Sequence, residues 1–323
     1  MANAATLRTA RPRSMRGQRG IALVLVLWLT ILLTVIASGF AFSMRSEAIA
    51  ARNAISLAQA RAAADGAVER TLFELSRPQV PGTTWVADGT LHVWNDGDIE
   101  IRAVAVNEAA KIDLNFANDA LLKGLLATAG GLDIQAAARV GDAIMDWRDA
   151  DDLRRPNGAE EPEYRAANLK YGPANAPFET VGELSRVLGV TPDLYARVAP
   201  SLTVYSRQTG IDPMVASRDV LLALPGTTPE LVDDYVARRH QAIEQGLAAP
   251  PFPPAQGFTT GSAPALRIHA ETSLPDGVTF AREAVVRRSP DARRPLIVLE
   301  WAEAARMSAV VAPTAISSSL YKR

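Results

Sequence analysis

The densest set of residues able to do chemistry lies between positions 149 and 163. It reads Asp149-Ala150-Asp151-Asp152-Leu153-Arg154-Arg155-Pro156-Asn157-Gly158-Ala159-Glu160-Glu161-Pro162-Glu163. Six carboxylates fall here: Asp149, Asp151, Asp152, Glu160, Glu161 and Glu163. Acids this close repel one another unless something positive sits among them. Asp149 and Asp151 are spaced as in calcium loops, a glycine permits a tight turn, and calcium takes about six to eight oxygen ligands. The spacing is not that of an EF-hand. A solvated acidic loop, partly offset by Arg154 and Arg155, accounts for the same pattern.

Other chemistries have less to stand on. There is no cysteine, which excludes thiol nucleophiles, disulfides, Cys-ligated zinc and iron–sulfur clusters. The three histidines, His92, His240 and His269, are far apart in the chain and do not suggest a metal triad. Acids clustered in one loop are not two acids facing across a glycosidase cleft. Ser217, Asp233 and His240 have triad composition, but no nucleophile-elbow motif surrounds any serine. No catalytic residue is therefore assigned. Residues 180–202 and 222–239 each suggest helix, short turn, helix, a pattern that resembles DNA-binding helix-hairpin-helix modules. Few basic residues accompany them, so packing is expected and no nucleic-acid partner.

The elements that must position the acids follow from pattern. The chain has 323 residues, 48% of them apolar, with 34 basic and 35 acidic side chains. That is enough for a substantial core. The first 20 residues hold five arginines and no acid, which leaves 29 basic and 35 acidic residues, a net −6, for the rest. Residues 21–44 carry no charge. A helix over them spans the roughly 30 Å hydrocarbon core of a membrane, and the arginines before it should stay cytoplasmic. Residues 46–76 are rich in Ala, Glu, Arg and Leu without proline, so the helix should continue to Ser76, about 84 Å in all.

Val80, Pro81 and Gly82 should break it. Residues 91–94 and 99–106 predict a hairpin around Asn95-Asp96-Gly97-Asp98. Helical periods follow at 120–128, 134–147, 180–188, 192–199, 215–224 and 229–244. Trp147 and Tyr195 fall on helix faces expected in the core. A faint repeat relates Ile112-Asp113-Leu114-Asn115-Phe116-Ala117 to Ile211-Asp212-Pro213-Met214-Val215-Ala216. It is either two similar helix caps or a duplicated helical unit. Residues 248–261 predict a linker, and 265–272, 278–287 and 295–301 three strands. The tail after 301 carries no clear signal.

The junction Arg16-Gly17-Gln18-Arg19-Gly20-Ile21-Ala22-Leu23 resembles a prepilin processing site, whereas a cleaved signal peptide or a plain signal anchor explains less of it. The resemblance implies cleavage between Gly20 and Ile21. Pilins and pseudopilins carry Glu at the fifth mature position; here Leu25 stands there. With Asp142-Ala143-Ile144-Met145-Asp146-Trp147-Arg148-Asp149, Arg155-Pro156-Asn157-Gly158-Ala159-Glu160 and Leu194-Tyr195-Ala196-Arg197-Val198-Ala199-Pro200-Ser201-Leu202-Thr203-Val204, the sequence resembles the minor pseudopilin K family of type II secretion over residues 16–303.

That resemblance implies an α+β fold: a pilin-like long N-terminal helix packed on an antiparallel sheet, with an inserted all-α domain. The expected divisions are a leader (1–20), pilin helix (21–76), first part of the head (77–110), helical insert (111–247), linker and last head strands (248–303), and tail (304–323). The implied role is non-enzymatic: a single-pass inner-membrane protein with its body in the periplasm, forming a pseudopilus tip with minor pseudopilins I, J and H. Major pseudopilin G and prepilin peptidase are further implied partners. The family also binds calcium near the acidic loop, which adds calcium as an expected cofactor at Asp149, Asp151, Asp152, Glu160, Glu161 and Glu163. The rivals are a type IV minor pilin and a membrane-anchored periplasmic enzyme or binding protein.

Overall fold

The structure, a computed structural model, describes residues 19–77, 85–245, 247, 250–253, 261, 263–291, 293–307 and 316–317. The expected leader up to residue 18, the break at 80–82, and most of the 248–261 linker and of the 304–323 tail lie outside the described residues. The chain divides into one unit up to Ser56 and a second from Leu57 onward.

One helix, α1, runs over Arg19–Ser76. Its apolar start is long and apolar enough to cross a membrane, with a best-window mean hydropathy of 2.7. Within the second unit α1 changes character. Ala60, Ala64, Ala67, Val68, Leu72 and Leu75 form a buried stripe at helical spacing.

That stripe lies on an antiparallel sheet built from β1 (Asp88–Asp96), β2 (Ile99–Asn107), β5 (Ala265–Ser273), β6 (Thr279–Arg288) and β7 (Leu296–Glu303). The spatial order is β7-β6-β5-β2-β1, with the two-residue β8 (Ile316–Ser317) parallel to β1. Alternate residues supply the helix-facing side: Ile101, Ala103 and Ala105 on β2, Leu266, Ile268 and Ala270 on β5, Ala284 and Val286 on β6. Alanines on both surfaces let helix and sheet approach closely. Each buried Leu, Ile or Val stabilises the contact by about 1.5–3 kcal/mol. Polar pins fix the register. Thr272 Oγ1 donates to the Ala60 carbonyl (3.0 Å), and Arg282 Nε to Asp65 (2.7 Å). Arg288 donates to the Leu75 carbonyl (3.1 Å), satisfying a C-terminal acceptor that the helix itself cannot.

Between neighbouring strands β2 and β5 the chain leaves the sheet and builds helices. Asn107 clasps the exit to the return: its side-chain oxygen accepts from Ala263 N (2.9 Å) and its amide donates to Ala263 O (3.0 Å). Glu108, buried, then receives Thr203 Oγ1 and Arg267 Nε, tying the helical segment to β5. The segment comprises β3 (Ile112–Asp113), α2 (Asp119–Thr128), α3 (Ile134–Arg148), α4 (Glu161–Ala166), α5 (Pro192–Val198), β4 (Leu202–Thr203), α6 (Arg218–Leu222) and α7 (Pro229–Glu244). β3 and β4 pair in parallel. Its core is its own, centred on Leu121, Leu125, Ile144, Tyr164, Leu194 and Tyr235. Trp147 is buried there and Tyr195 packs against it.

Two helical expectations need correction. Residues 181–186 form a 3₁₀ helix, not an α-helix over 180–188: Gly182 weakens the start, and Gly189 turns the chain at φ 88°. The helix expected from 215 begins at Arg218, because the preceding residues form a turn.

That turn repeats the geometry of the one before α2. Asp113 accepts from Asn115 N (2.8 Å) and its carbonyl from Ala117 N (2.9 Å); Asp212 accepts from Met214 N (3.0 Å) and its carbonyl from Ala216 N (3.0 Å). Asn118 then caps α2, and Ser217 caps α6. Each capped helix is followed by a longer one, α3 or α7. The two capped segments meet where Gly124 on α2 faces Ala223 after α6: a Cβ at Gly124 would lie 2.1 Å from the Ala223 carbonyl oxygen. Gly124→Ala is therefore expected to destabilise by about 1–3 kcal/mol, although helix propensity alone favours alanine. A urea midpoint at or above that of the natural chain would refute the close contact.

Candidate functional site

The acids sit where α3, the 149–160 loop and α4 meet. Asp133 caps α3 by accepting from Ala136 N (2.7 Å), and Trp147 near its far end packs among Tyr164 and Phe178. Tyr164 on α4 is fully buried, and its hydroxyl accepts from Leu188 N (3.0 Å). These anchors hold the loop between two fixed helices.

Of the six acids expected from sequence, the structure brings some together and sends others elsewhere. Asp149 is half-buried at the C-cap of α3, with Oδ1 buried and unpartnered. Glu160, buried at the start of α4, has an equally orphaned Oε1. Burial raises the Glu160 pKa to about 7, and Asp146, Asp149, Asp152 and Asp151 push it in the same direction. Burial, then Asp151, also raises Asp149. Asp151 and Asp152 are exposed; Asp151 accepts from Leu153 N (2.9 Å), Asp152 from Asn175 Nδ2 (2.8 Å). Glu161 instead pairs with Arg165 one turn along α4 (2.6 Å). Glu163 caps α4 by accepting from Glu160 N (3.0 Å) and stands 3.5 Å from Arg154.

Two further acids belong to this region. Asp146 is buried, and burial raises its pKa against the amide of Arg155, which donates to both its oxygens at 3.3 Å. Asp142 is buried too, but Lys123 (2.6 Å) and Asn157 outweigh burial and hold its pKa low. Asp142, Asp146 and Asp149 recur at i, i+4 and i+7, so their common helix face was visible in the sequence. A cleft of about 430 Å³ opens beside Glu160, lined also by Asp152, Arg165 and Tyr171. Among the described residues, no group of three or more acidic or histidine side chains is placed to hold a metal ion. The site holds surplus negative charge and two acceptors without donors.

Neither a triad nor a basic phosphate rim is assembled. Ser217 caps α6, while Asp233 pairs with Arg218. Arg238 pairs with Asp234 (2.6 Å), and Arg239 is buried against the carbonyls of Pro213 and Ala216.

The family profile for the type II secretion system (T2SS), protein K matches residues 101–207, which contain this whole site. Type II secretion system protein K of Klebsiella pneumoniae is 31% identical over 233 residues, covering 64% of this chain and 69% of that protein. The chain belongs to the type II secretion system protein K family. The protein K of Pectobacterium carotovorum subsp. carotovorum is 38% identical over 80 residues, covering 25% of this chain and 23% of its own length. In fold, the chain is similar to a chain of the crystal structure of the GspK-GspI-GspJ complex from enterotoxigenic Escherichia coli. The TM-score is 0.55 at 16% identity, covering 81% of this chain and 99% of that one. Membership makes the protein a minor pseudopilin of type II secretion, with the long helix, antiparallel sheet and additional helices of that fold.

Proposed function

We propose that the protein is the tip subunit of the pseudopilus, anchored in the inner membrane by α1 with its body in the periplasm. Prepilin peptidase cuts between Gly20 and Ile21, and the mature subunit joins minor pseudopilins I and J, and H, to start assembly of the fibre built from major pseudopilin G. Its role is to assemble, not to catalyse. Leu25 carries the reading. A glutamate at that depth in an apolar helix is costly without a partner. A subunit with leucine there has no charge to neutralise and needs no neighbour ahead of it. The similarity in fold to a chain solved in complex with GspI and GspJ supports the choice of partners.

The first test is the N-terminus of the membrane-extracted protein, with and without prepilin peptidase. The expected start is Ile21 when the peptidase is present and Met1 when it is not. A start at Met1 in both would remove the processing step and the tip mechanism together. Loss of secretion with intact pili, on deleting the gene, would separate this reading from a type IV minor pilin.

Calcium in the acidic loop completes the proposal. Two observations support it: Asp149 Oδ1 and Glu160 Oε1 are buried acceptors without donors, and the charges of Asp146, Asp149, Asp152 and Asp151 all act on Glu160. Asp149, Asp151, Asp152 and Glu160 would hold the ion, while Glu161 and Glu163 brace α4. Calcium would neutralise the loop and join α3 to α4.

A further inference from the structure

A second cleft, about 540 Å³, borders the same loop and has the opposite character. Three separate segments build it: α3 with Arg139 and Val140, the loop with Arg154 and Pro156, and the turn at Leu188 and Gly189. None of its lining residues is acidic, in a chain with 35 acids. Val140 and Ala143 give it a buried apolar floor. Gly189 keeps that floor open, since a Cβ there would press on Val140 Cγ2 at 3.1 Å. Arg139 is exposed, with no ion pair or hydrogen bond among the described residues. Arg154 is exposed and, among the described residues, its one ion pair is with Glu163, at 3.5 Å. Close by in the chain, Ile134 (86%) and Leu153 (78%) are among the most exposed large apolar side chains of the body.

We infer that this cleft binds a peptide segment of a partner protein in which an apolar side chain stands next to a carboxylate. The floor takes the apolar group, and either guanidinium presents a fork that matches a carboxylate. The volume is that of a ligand site, and an arginine that a partner can cover beside an apolar pocket is a typical anchor of protein–protein contacts. Polyanions such as nucleic acid need a basic stripe, and the rest of this body is acidic. The inference depends neither on the position in the pseudopilus nor on calcium.

The test uses the full chain in detergent micelles and an array of short, capped peptides. Each carries Leu, Ile, Val, Met or Phe followed by Glu, Gln or Lys. The Glu series should bind at least about tenfold more tightly than the Gln series. R139A and R154A should each weaken it by about fivefold or more, with an unchanged circular dichroism spectrum. Arg139→Glu should shift the preference toward the Lys series. Equal binding of the Glu and Gln peptides, no binding by either, or indifference to both arginine variants would overturn the inference. So would octanoate competing at lower concentration than the best peptide, which would make the occupant a small amphiphilic acid.

Discussion

Glu160→Gln is expected to make the protein more stable than the natural chain in EDTA at pH 8, and less stable than it in calcium. The reason is the carboxyl's position: buried, facing four aspartates, with a pKa raised to about 7 from 4.5. A carboxyl whose folded pKa is raised holds its proton more tightly when folded. It costs nothing below the unfolded pKa. The cost grows as pH rises from about 4.5 to 7 and is constant above that, at up to about 3 kcal/mol. Glutamine keeps the shape without the charge, so the cost and its pH slope should vanish together. If the loop binds calcium as proposed, calcium should reverse the order, because it favours the ionised form. At about a thousand times its dissociation constant a ligand adds about 4.1 kcal/mol, more than that cost and worth roughly 8–16 °C in a chain of this size. That increment should be large at pH 8 and small at pH 5, where a proton must first be displaced. Thermal melts of the detergent-solubilised chain at the two pH values, in EDTA and in calcium, decide it. If the natural chain melts identically with and without calcium at pH 8, the metal reading fails. The slope in EDTA still reports separately on the burial of Glu160.

The second large effect is expected from adding one methyl group. Gly158→Ala should lower stability by about 2–4 kcal/mol. A Cβ at Gly158 would lie 1.9 Å from Asp146 Oδ2 and 2.7 Å from its Cγ. Asp146 has nowhere to go: it is fully buried and held by the Arg155 amide. The loop must lift, leaving a buried carboxylate with fewer donors. The cause is space, not backbone strain, since Gly158 is not among the glycines with positive φ. That makes a sharper test available. In an Asp146→Ala background the same Gly158→Ala change should cost less than about 1 kcal/mol, because the clashing oxygen is gone. Additive losses in urea titrations of the single and double variants would disprove the contact.

The elements were legible where one physical requirement ruled the sequence. Twenty-four uncharged residues without proline from Ile21 to Met44 admit little but a helix, and Ile99-Glu100-Ile101-Arg102-Ala103 shows the alternation of a half-buried strand. The acidic site was legible in its location and only partly in its members. Adjacency in sequence put Glu161 with Glu160, and both line the same cleft, but Glu160 is buried at the N-cap of α4 while Glu161 is exposed and pairs with Arg165. Asp146 was hidden inside a helix pattern whose apolar residues drew the eye, although its spacing from Asp149 was there to read. The arginine-rimmed cleft was not legible at all. Arg139, Arg154 and Leu188 come from three segments, and only tertiary packing brings them to one place.

The Asn107–Ala263 clasp has a mechanical meaning. Both ends of the helical segment emerge from adjacent strands at one polar knot. A load entering the second unit along α1 passes into β2, β5 and β6 through the Thr272, Arg282 and Arg288 pins. It can travel from strand to strand across the ladder without stretching the helices, whose two tethers move together. Loading the sheet would therefore shift the two ends of the helical segment together rather than pull them apart.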